Sequence, residues 1–209
     1  TMQSPSTPES TWPEVLRARR AIVVVDVVES VRLMREHEAG FIDRWRRFVN
    51  IVRTQLLPPQ GGRMVKSLGD GMLLEFERVQ GAVSAALAVQ RRIDDVNVDI
   101  ESSARIALRV GAHVSDVVVD ADDIYGAGVN LAARLASLAG PGEIVVSSEV
   151  RDELVAGLDA EVEDLGECFV KHIDLPVRAF RIGTVGPRPE VPAQAGPAAA
   201  ELRAVVAVI

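Results

Sequence analysis

Apolar residues fill both parities of residues 21–28, AIVVVDVV, the pattern of a strand covered on both faces, and Asp26 interrupts it. A carboxylate in such a strand needs a partner or a metal, because burying it alone is costly. From residue 31 to 57 the period changes. Val31, Met34, Phe41, Ile42, Trp45, Phe48, Val49, Val52 and Leu56 recur at helical spacing, and Pro58-Pro59 ends the helix. RMVKSLGDGMLLEF then predicts a β-hairpin turning at Leu68-Gly69-Asp70-Gly71. An Ala-rich helix is expected over 79–93, and a second hairpin over ARIALRVGAHV and SDVVV. A third helix, 127–138, ends at Gly140-Pro141-Gly142. EIVVSS predicts a strand, 148–156 a short helix, and EVEDLGECFVKHIDLPVRAFRIG further short strands. This order predicts an α+β fold: a ferredoxin-like βαββαβ core with extra C-terminal strands and a helix.

Composition narrows the function. The chain has 209 residues, 48% apolar and 25% charged, with net charge −7 and pI near 5.1. So acidic a chain is a poor partner for duplex nucleic acid, whose affinity rests on phosphate neutralisation. A small polyphosphate stays possible through a few local cations and metal ions. One cysteine, Cys168, excludes an intrachain disulfide. No apolar run is long enough to span a bilayer, and the N-terminus has no signal-peptide pattern. The expected setting is cytoplasmic. Residues 1–16 read as a disordered lead-in and 17–184 as the folded domain. Residues 185–209 read as a Pro/Ala-rich linker, with ELRAVVAVI the possible start of a following domain.

Two carboxylates stand out. If the strand of Asp26 and the hairpin of Asp70 are neighbours in one sheet, both acids can converge on a hard cation such as magnesium. Taken alone, Asp70 equally fits a turn-forming Asp beside Gly. On the third helix Asn130 and Arg134 are four residues apart and share a face. A helical Arg among apolar neighbours also fits a snorkelling or ion-paired surface residue. The turn Asp122-Asp123-Ile124-Tyr125-Gly126 before that helix also fits a cap.

The segments VVVDVVESVRLM, GGRMVKSLGDGMLLEF and DDIYGAGVNLAARLASLAGPGEIVVSS together resemble the catalytic domains of class III nucleotide cyclases, in particular bacterial adenylate cyclases. The resemblance runs from about residue 21 to 183. It implies that Asp26 and Asp70, with Val27 beside them, bind two divalent metal ions, magnesium or manganese. One ion would lower the pKa of the ribose 3′-hydroxyl of ATP and the other would hold the triphosphate. Lys66 and Asp123 match the pair that selects adenine, Lys for the N1 acceptor and Asp for the 6-amino donor. A guanylate cyclase would typically carry Glu and a small residue such as Cys there. Asn130 matches the residue that orients the ribose, and Arg134 the one that stabilises transition-state charge on phosphorus. Lys171 is the candidate for gripping the β- and γ-phosphates. In this family a head-to-tail homodimer builds two sites, the metal acids coming from one protomer and the base, ribose and transition-state residues from the other.

The chain departs from the family at two turns. Glu29 stands where Gly is expected beside the triphosphate, adding a negative charge near an anionic ligand. Ser115 replaces Gly at what the pattern makes a hairpin turn. His113 and His172 are expected to serve structure. The leading reading is adenylate cyclase. Its rivals are a nucleotide-binding or dimerising regulatory domain crippled at Glu29, and a cyclase of GTP specificity, against which Lys66 and Asp123 argue. The Gly-Gly-acid-acid-Phe hairpin of diguanylate cyclases is absent.

Overall fold

The structure, a computed structural model, describes residues 16–120, 122–154, 160–170, 173 and 175–184. The expected lead-in (except Leu16), the linker, Lys171 and His172 lie outside these.

Strand β1 (Arg17–Val27) leads into helix α1 (Ser30–Ile51), which ends in a π-helical turn over residues 52–56 before Pro58. The hairpin β2 (Gly62–Leu68) and β3 (Gly71–Phe76) follows, then α2 (Val79–Val96) and β4 (Leu108–Val119). The short β5 (Ile124–Tyr125), α3 (Ala127–Leu138), β6 (Ile144–Ser147), α4 (Ser148–Glu153), β7 (Ala160–Cys168) and β8 (Val177–Thr184) complete the order. The sheet runs β2-β3-β1-β4-β6-β8-β7, with β5 paired to β4. Its first four strands, split by α1 and α2, are the expected ferredoxin-like arrangement. Beyond β4 the sheet continues with parallel β6 and antiparallel β8 and β7.

The two faces of the sheet are unequally covered. On one, Val23, Val25, Leu74, Phe76, Val110 and Ala112 meet the apolar stripes of α1 and α2, including Leu33, Phe41, Trp45, Phe48, Val83 and Val89. Each large side chain fully buried there stabilises the fold by roughly 1.5–3 kcal/mol. On the other face α3 is the principal helix, over the smaller clusters of Ile22, Leu73, Val117, Ile124 and Ala132, and of Leu135 and Val145. It packs close because β4 carries Gly111. A Cβ there would lie 2.1 Å from the Ala136 nitrogen and 2.2 Å from the Ala132 carbonyl oxygen.

The second hairpin is a correction. Residues 108–119 form one continuous strand, because β1 begins at Arg17 and pairs with β4 without a break from Arg17↔Val118 to Val27↔Leu108. Ser115-Asp116, without Gly or Pro, cannot interrupt so long a ladder. Ser115 therefore occupies no turn. Its hydroxyl faces α3 at Gly128, where a Cβ would collide with it at 1.8 Å.

Candidate active site

Strand alternation puts Ile22, Val24 and Asp26 on the α3 face of β1, and Arg109, Gly111, His113 and Ser115 on the same face of β4. Asp26 pairs in register with Gly71 of β3, the residue after Asp70. Asp70 sits in a two-residue hairpin loop whose first member, Gly69, has φ +56°, the left-handed geometry that tight hairpin turns require. Two hydrogen bonds clamp this loop. The Val27 N–H donates to the Asp70 carbonyl at 3.0 Å, and Trp45 Nε1 on α1 donates to the Gly69 carbonyl at 2.7 Å. The Asp26 and Asp70 segments are thus neighbours, as the sequence requires for a shared cation. The Val27 side chain is buried in the core, so only its backbone can face a ligand.

The oxygens here fit a hard divalent cation. Among the described residues no group of three or more His, Cys, Asp and Glu could hold a metal. Two carboxylates and a backbone carbonyl instead suit magnesium, which keeps waters and takes substrate phosphates as further ligands. Gly71 gives the clearance, since a Cβ there would come within 3.9 Å of Asp26 Oδ1 and 3.2 Å of the Val25 carbonyl. Asp26 already meets a positive charge: Arg109 Nε donates to Asp26 Oδ2 at 2.7 Å. The Asp70 carboxylate has no hydrogen-bond or ion-pair partner among the described residues. Arg109 was not singled out by the sequence reading. The available signal was a lone Arg in a mostly apolar strand segment, ALRVGAHV, beside a strand whose apolar run carries a lone acid.

Lys66 and Asp123 meet. Lys66 Nζ donates to Asp123 Oδ2 at 2.7 Å, while Asp123 Oδ1 accepts the Ile124 N–H at 2.8 Å. The hydrogen bond from Lys66, helped by that N–H, holds the Asp123 carboxyl below the usual carboxylate range. A β-bulge makes the meeting possible. Met64 pairs with Leu74 and Lys66 with Leu73, so Val65 is an extra residue and Lys66 shares the face of Leu73. The short β5 pairing, Val118↔Tyr125 and Val119↔Ile124, brings Asp123 alongside.

On α3 the buried residues are Gly128, Ala132, Leu135 and Ala136, leaving Asn130 exposed and Arg134 half-buried on another side. Neither side chain has a hydrogen-bond or ion-pair partner among the described residues. The structure therefore unites Lys66 with Asp123 and brings the Asp26 and Asp70 segments together, but does not join Asn130 or Arg134 to either pair.

Glu29 occupies the turn before α1 with φ 53° and ψ 36°, left-handed backbone that favours Gly. Its carboxylate accepts from Arg32 Nε at 3.1 Å, and Arg32 also donates to the Ser103 carbonyl at 2.8 Å. The extra negative charge is paired locally. His113 is buried, its Nδ1 2.9 Å from Ser147 Oγ and 3.8 Å from Glu149 Oε2; burial pushes its pKa down.

A ferredoxin-like core extended past β4, with two acids on β1 and the β2–β3 turn, defines the class III cyclase architecture. The chain belongs to the family of adenylate and guanylate cyclase catalytic domains, whose family model matches residues 19–182. It is 34% identical over 170 residues to "Putative adenylate cyclase 3" of Rhizobium meliloti (strain 1021), a match covering 79% of this chain and 28% of the relative. The crystal structure of an adenylate/guanylate cyclase/hydrolase from Silicibacter pomeroyi aligns with TM-score 0.72 and 32% identity, covering 82% of this chain and 99% of that one. The adenylyl cyclase CyaB from P. aeruginosa aligns with TM-score 0.74 at 22% identity, over 83% of this chain and 98% of that one, which bears on the fold alone. The chain thus spans little more than a quarter of the Rhizobium relative. Among the described residues no helix is long and apolar enough to cross a membrane.

Proposed function

We propose that this domain is an adenylate cyclase, converting ATP to 3′,5′-cyclic AMP and pyrophosphate at a site completed by a second copy of the chain. The observation that carries the choice of base is the Lys66–Asp123 contact at 2.7 Å. Lys66 keeps further ammonium protons for the N1 acceptor of adenine. Asp123, held ionised, accepts from the 6-amino group. Guanine presents the reverse pattern, an N1–H donor and an O6 acceptor, and would leave both side chains mismatched, a large penalty in a site built on hydrogen bonds. The relatives named adenylate cyclases support the same reading.

The new bond joins the ribose 3′-oxygen to the α-phosphorus, the bond from that phosphorus to the pyrophosphate oxygen breaks, and the 3′-hydroxyl gives up its proton. Asp26, Asp70 and the Val27 carbonyl would hold divalent cations, which when bound would supply positive charge for this ionisation and for the triphosphate. Asn130 orients the ribose. Arg134, permanently charged and without a partner in its own chain among the described residues, stabilises charge on the phosphoryl oxygens in the transition state. Neither makes a hydrogen bond or ion pair with Asp26 or Asp70 of its own chain among the described residues, which supports a head-to-tail homodimer in which one protomer's α3 serves its partner's metal acids. Lys171 remains the candidate for the β- and γ-phosphates.

The test is cyclic AMP formation from ATP by the purified chain with manganese and with magnesium, against Asp70→Ala. Product that disappears in the variant supports the enzyme and the metal role together. No product at protein concentrations that favour dimers points instead to a regulatory nucleotide-binding domain.

A further inference from the structure

Asp26 and Arg109 are paired residues of neighbouring central strands, β1 and β4. Arg109 reaches one carboxylate oxygen twice, Nε at 2.7 Å and Nη2 at 2.5 Å from Asp26 Oδ2. The side chains are 28% and 35% exposed, so the contact is partly shielded from water. Both backbones are fixed by the ladder, so the pair needs little ordering to form. Charge-assisted contacts of this kind are among the stronger hydrogen bonds. Asp70 by contrast has no such partner among the described residues. One acid of the pair is neutralised from within the chain and the other is open.

We propose that Arg109 is an internal competitor for the metal at Asp26, so that the nucleotide-free domain binds divalent cations weakly until a polyanion draws the guanidinium away. The inference rests on the reading of Asp26 as a metal ligand. A cation approaching Asp26 meets an oxygen already engaged and a fixed positive charge beside it. A polyphosphate offers Arg109 another partner, frees Oδ2 and adds its own oxygens to the cation. Binding of metal and of polyanion is then coupled, and by linkage each tightens the other by the same factor. The domain therefore takes up its metal together with a nucleotide. An alternative role for Arg109, holding Asp26 in the orientation a metal requires, predicts the opposite sign when the arginine is removed.

The experiment follows free manganese by electron paramagnetic resonance with the full chain, without nucleotide and then with a non-cyclisable ATP analogue. Arg109→Gln is expected to bind manganese without nucleotide about tenfold more tightly than the unsubstituted chain, an ordinary size for coupled binding. The gain should vanish in the Arg109→Gln, Asp26→Asn double variant. With the analogue present the difference between Arg109→Gln and the unsubstituted chain should narrow. Unchanged or weaker manganese binding by Arg109→Gln overturns the inference. Should that variant not fold, Arg109→Lys, which loses the planar fork, is expected to give a smaller gain, and no gain overturns the inference as well. A separate failure is recognisable: if Asp26→Asn and Asp70→Asn leave manganese binding with the analogue unaltered, the metal-site reading falls and the inference with it.

Discussion

Lys66 on β2 and Asp123 beside β5 are 57 residues apart in sequence and 2.7 Å apart in space. As the proposed base-selecting pair they can be exchanged for the pair expected of a guanylate cyclase. Lys66→Glu with Asp123→Cys should lower kcat/KM for ATP by about 100-fold, roughly 2.7 kcal/mol of lost transition-state binding. Steady-state rates with ATP and GTP check this, and a variant that keeps its ATP preference would remove the pair from base selection.

The proposed division of each site between two protomers, Asp70 from one and Arg134 from the other, predicts complementation. Arg134→Ala should cut kcat by about 100- to 1,000-fold, the usual size for losing one group that meets developing charge. Mixed with Asp70→Ala it should regain up to about a quarter of full activity, because random pairing makes half the dimers mixed and one site in each of those intact. A mixture no more active than its parts argues against shared sites.

Glu29→Gly should change stability more than turnover. Left-handed backbone costs an L-residue roughly 1–2 kcal/mol, part of which glycine's greater unfolded entropy offsets. The exposed pair with Arg32 contributes little. A net gain of a few tenths to about 1 kcal/mol is expected in urea unfolding. Because Arg32 already neutralises the carboxylate, cyclic AMP production should rise less than about threefold, well under 1 kcal/mol of barrier. A larger rise would restore the view of Glu29 as a handicap at the phosphate turn.

Trp45 should act on the proposed metal acids through the hairpin. Trp45→Phe keeps the ring in the core and removes the 2.7 Å bond to the Gly69 carbonyl. About 1 kcal/mol of stability should be lost. The informative readout is the manganese concentration for half-maximal activity, which should rise. A variant that loses stability alone would confine Trp45 to packing.

His113 predicts a direction with pH. Its folded pKa lies below the usual value because burial disfavours the charged ring, with Arg19 adding to this and Glu149 opposing it. Below about pH 6.5 the unfolded chain binds a proton that the folded chain resists. The stability His113 contributes is therefore present above that pH and is lost as pH falls toward the folded pKa. His113→Asn should flatten urea stability between pH 7 and 5 relative to the unsubstituted chain. Parallel curves would show that the loss arises elsewhere.

Local pattern carried the fold well where one period ran unbroken. The helix expected over 127–138 is α3 as found, and the hairpin turning at Asp70 is present. It failed at β4, where a Ser-Asp step looked like a turn and the distant strand β1 overruled it. The pairing of Lys66 with Asp123, and of Asp26 with Arg109, depends on sheet order and register, which no local window contains. The resemblance supplied the first pair. Nothing in the sequence reading supplied the second, since Arg109 acquires meaning only once β4 lies against β1.

The extra residue at Val65 adds a condition on counting. In a strand without that bulge, the side chain two places after the partly buried Met64 would point to the same core face, and Lys66 is that side chain. On the proposed reading, base choice therefore depends on the strand keeping its bulge as well as on which residues it carries. Flattening the bulge with all its residues kept would turn the ammonium away from Asp123, whereas deleting Val65 would leave Lys66 directly after Met64 and still on the face of Leu73. Grafting the proposed recognition pair into a strand of the same length would have to carry the bulge with it.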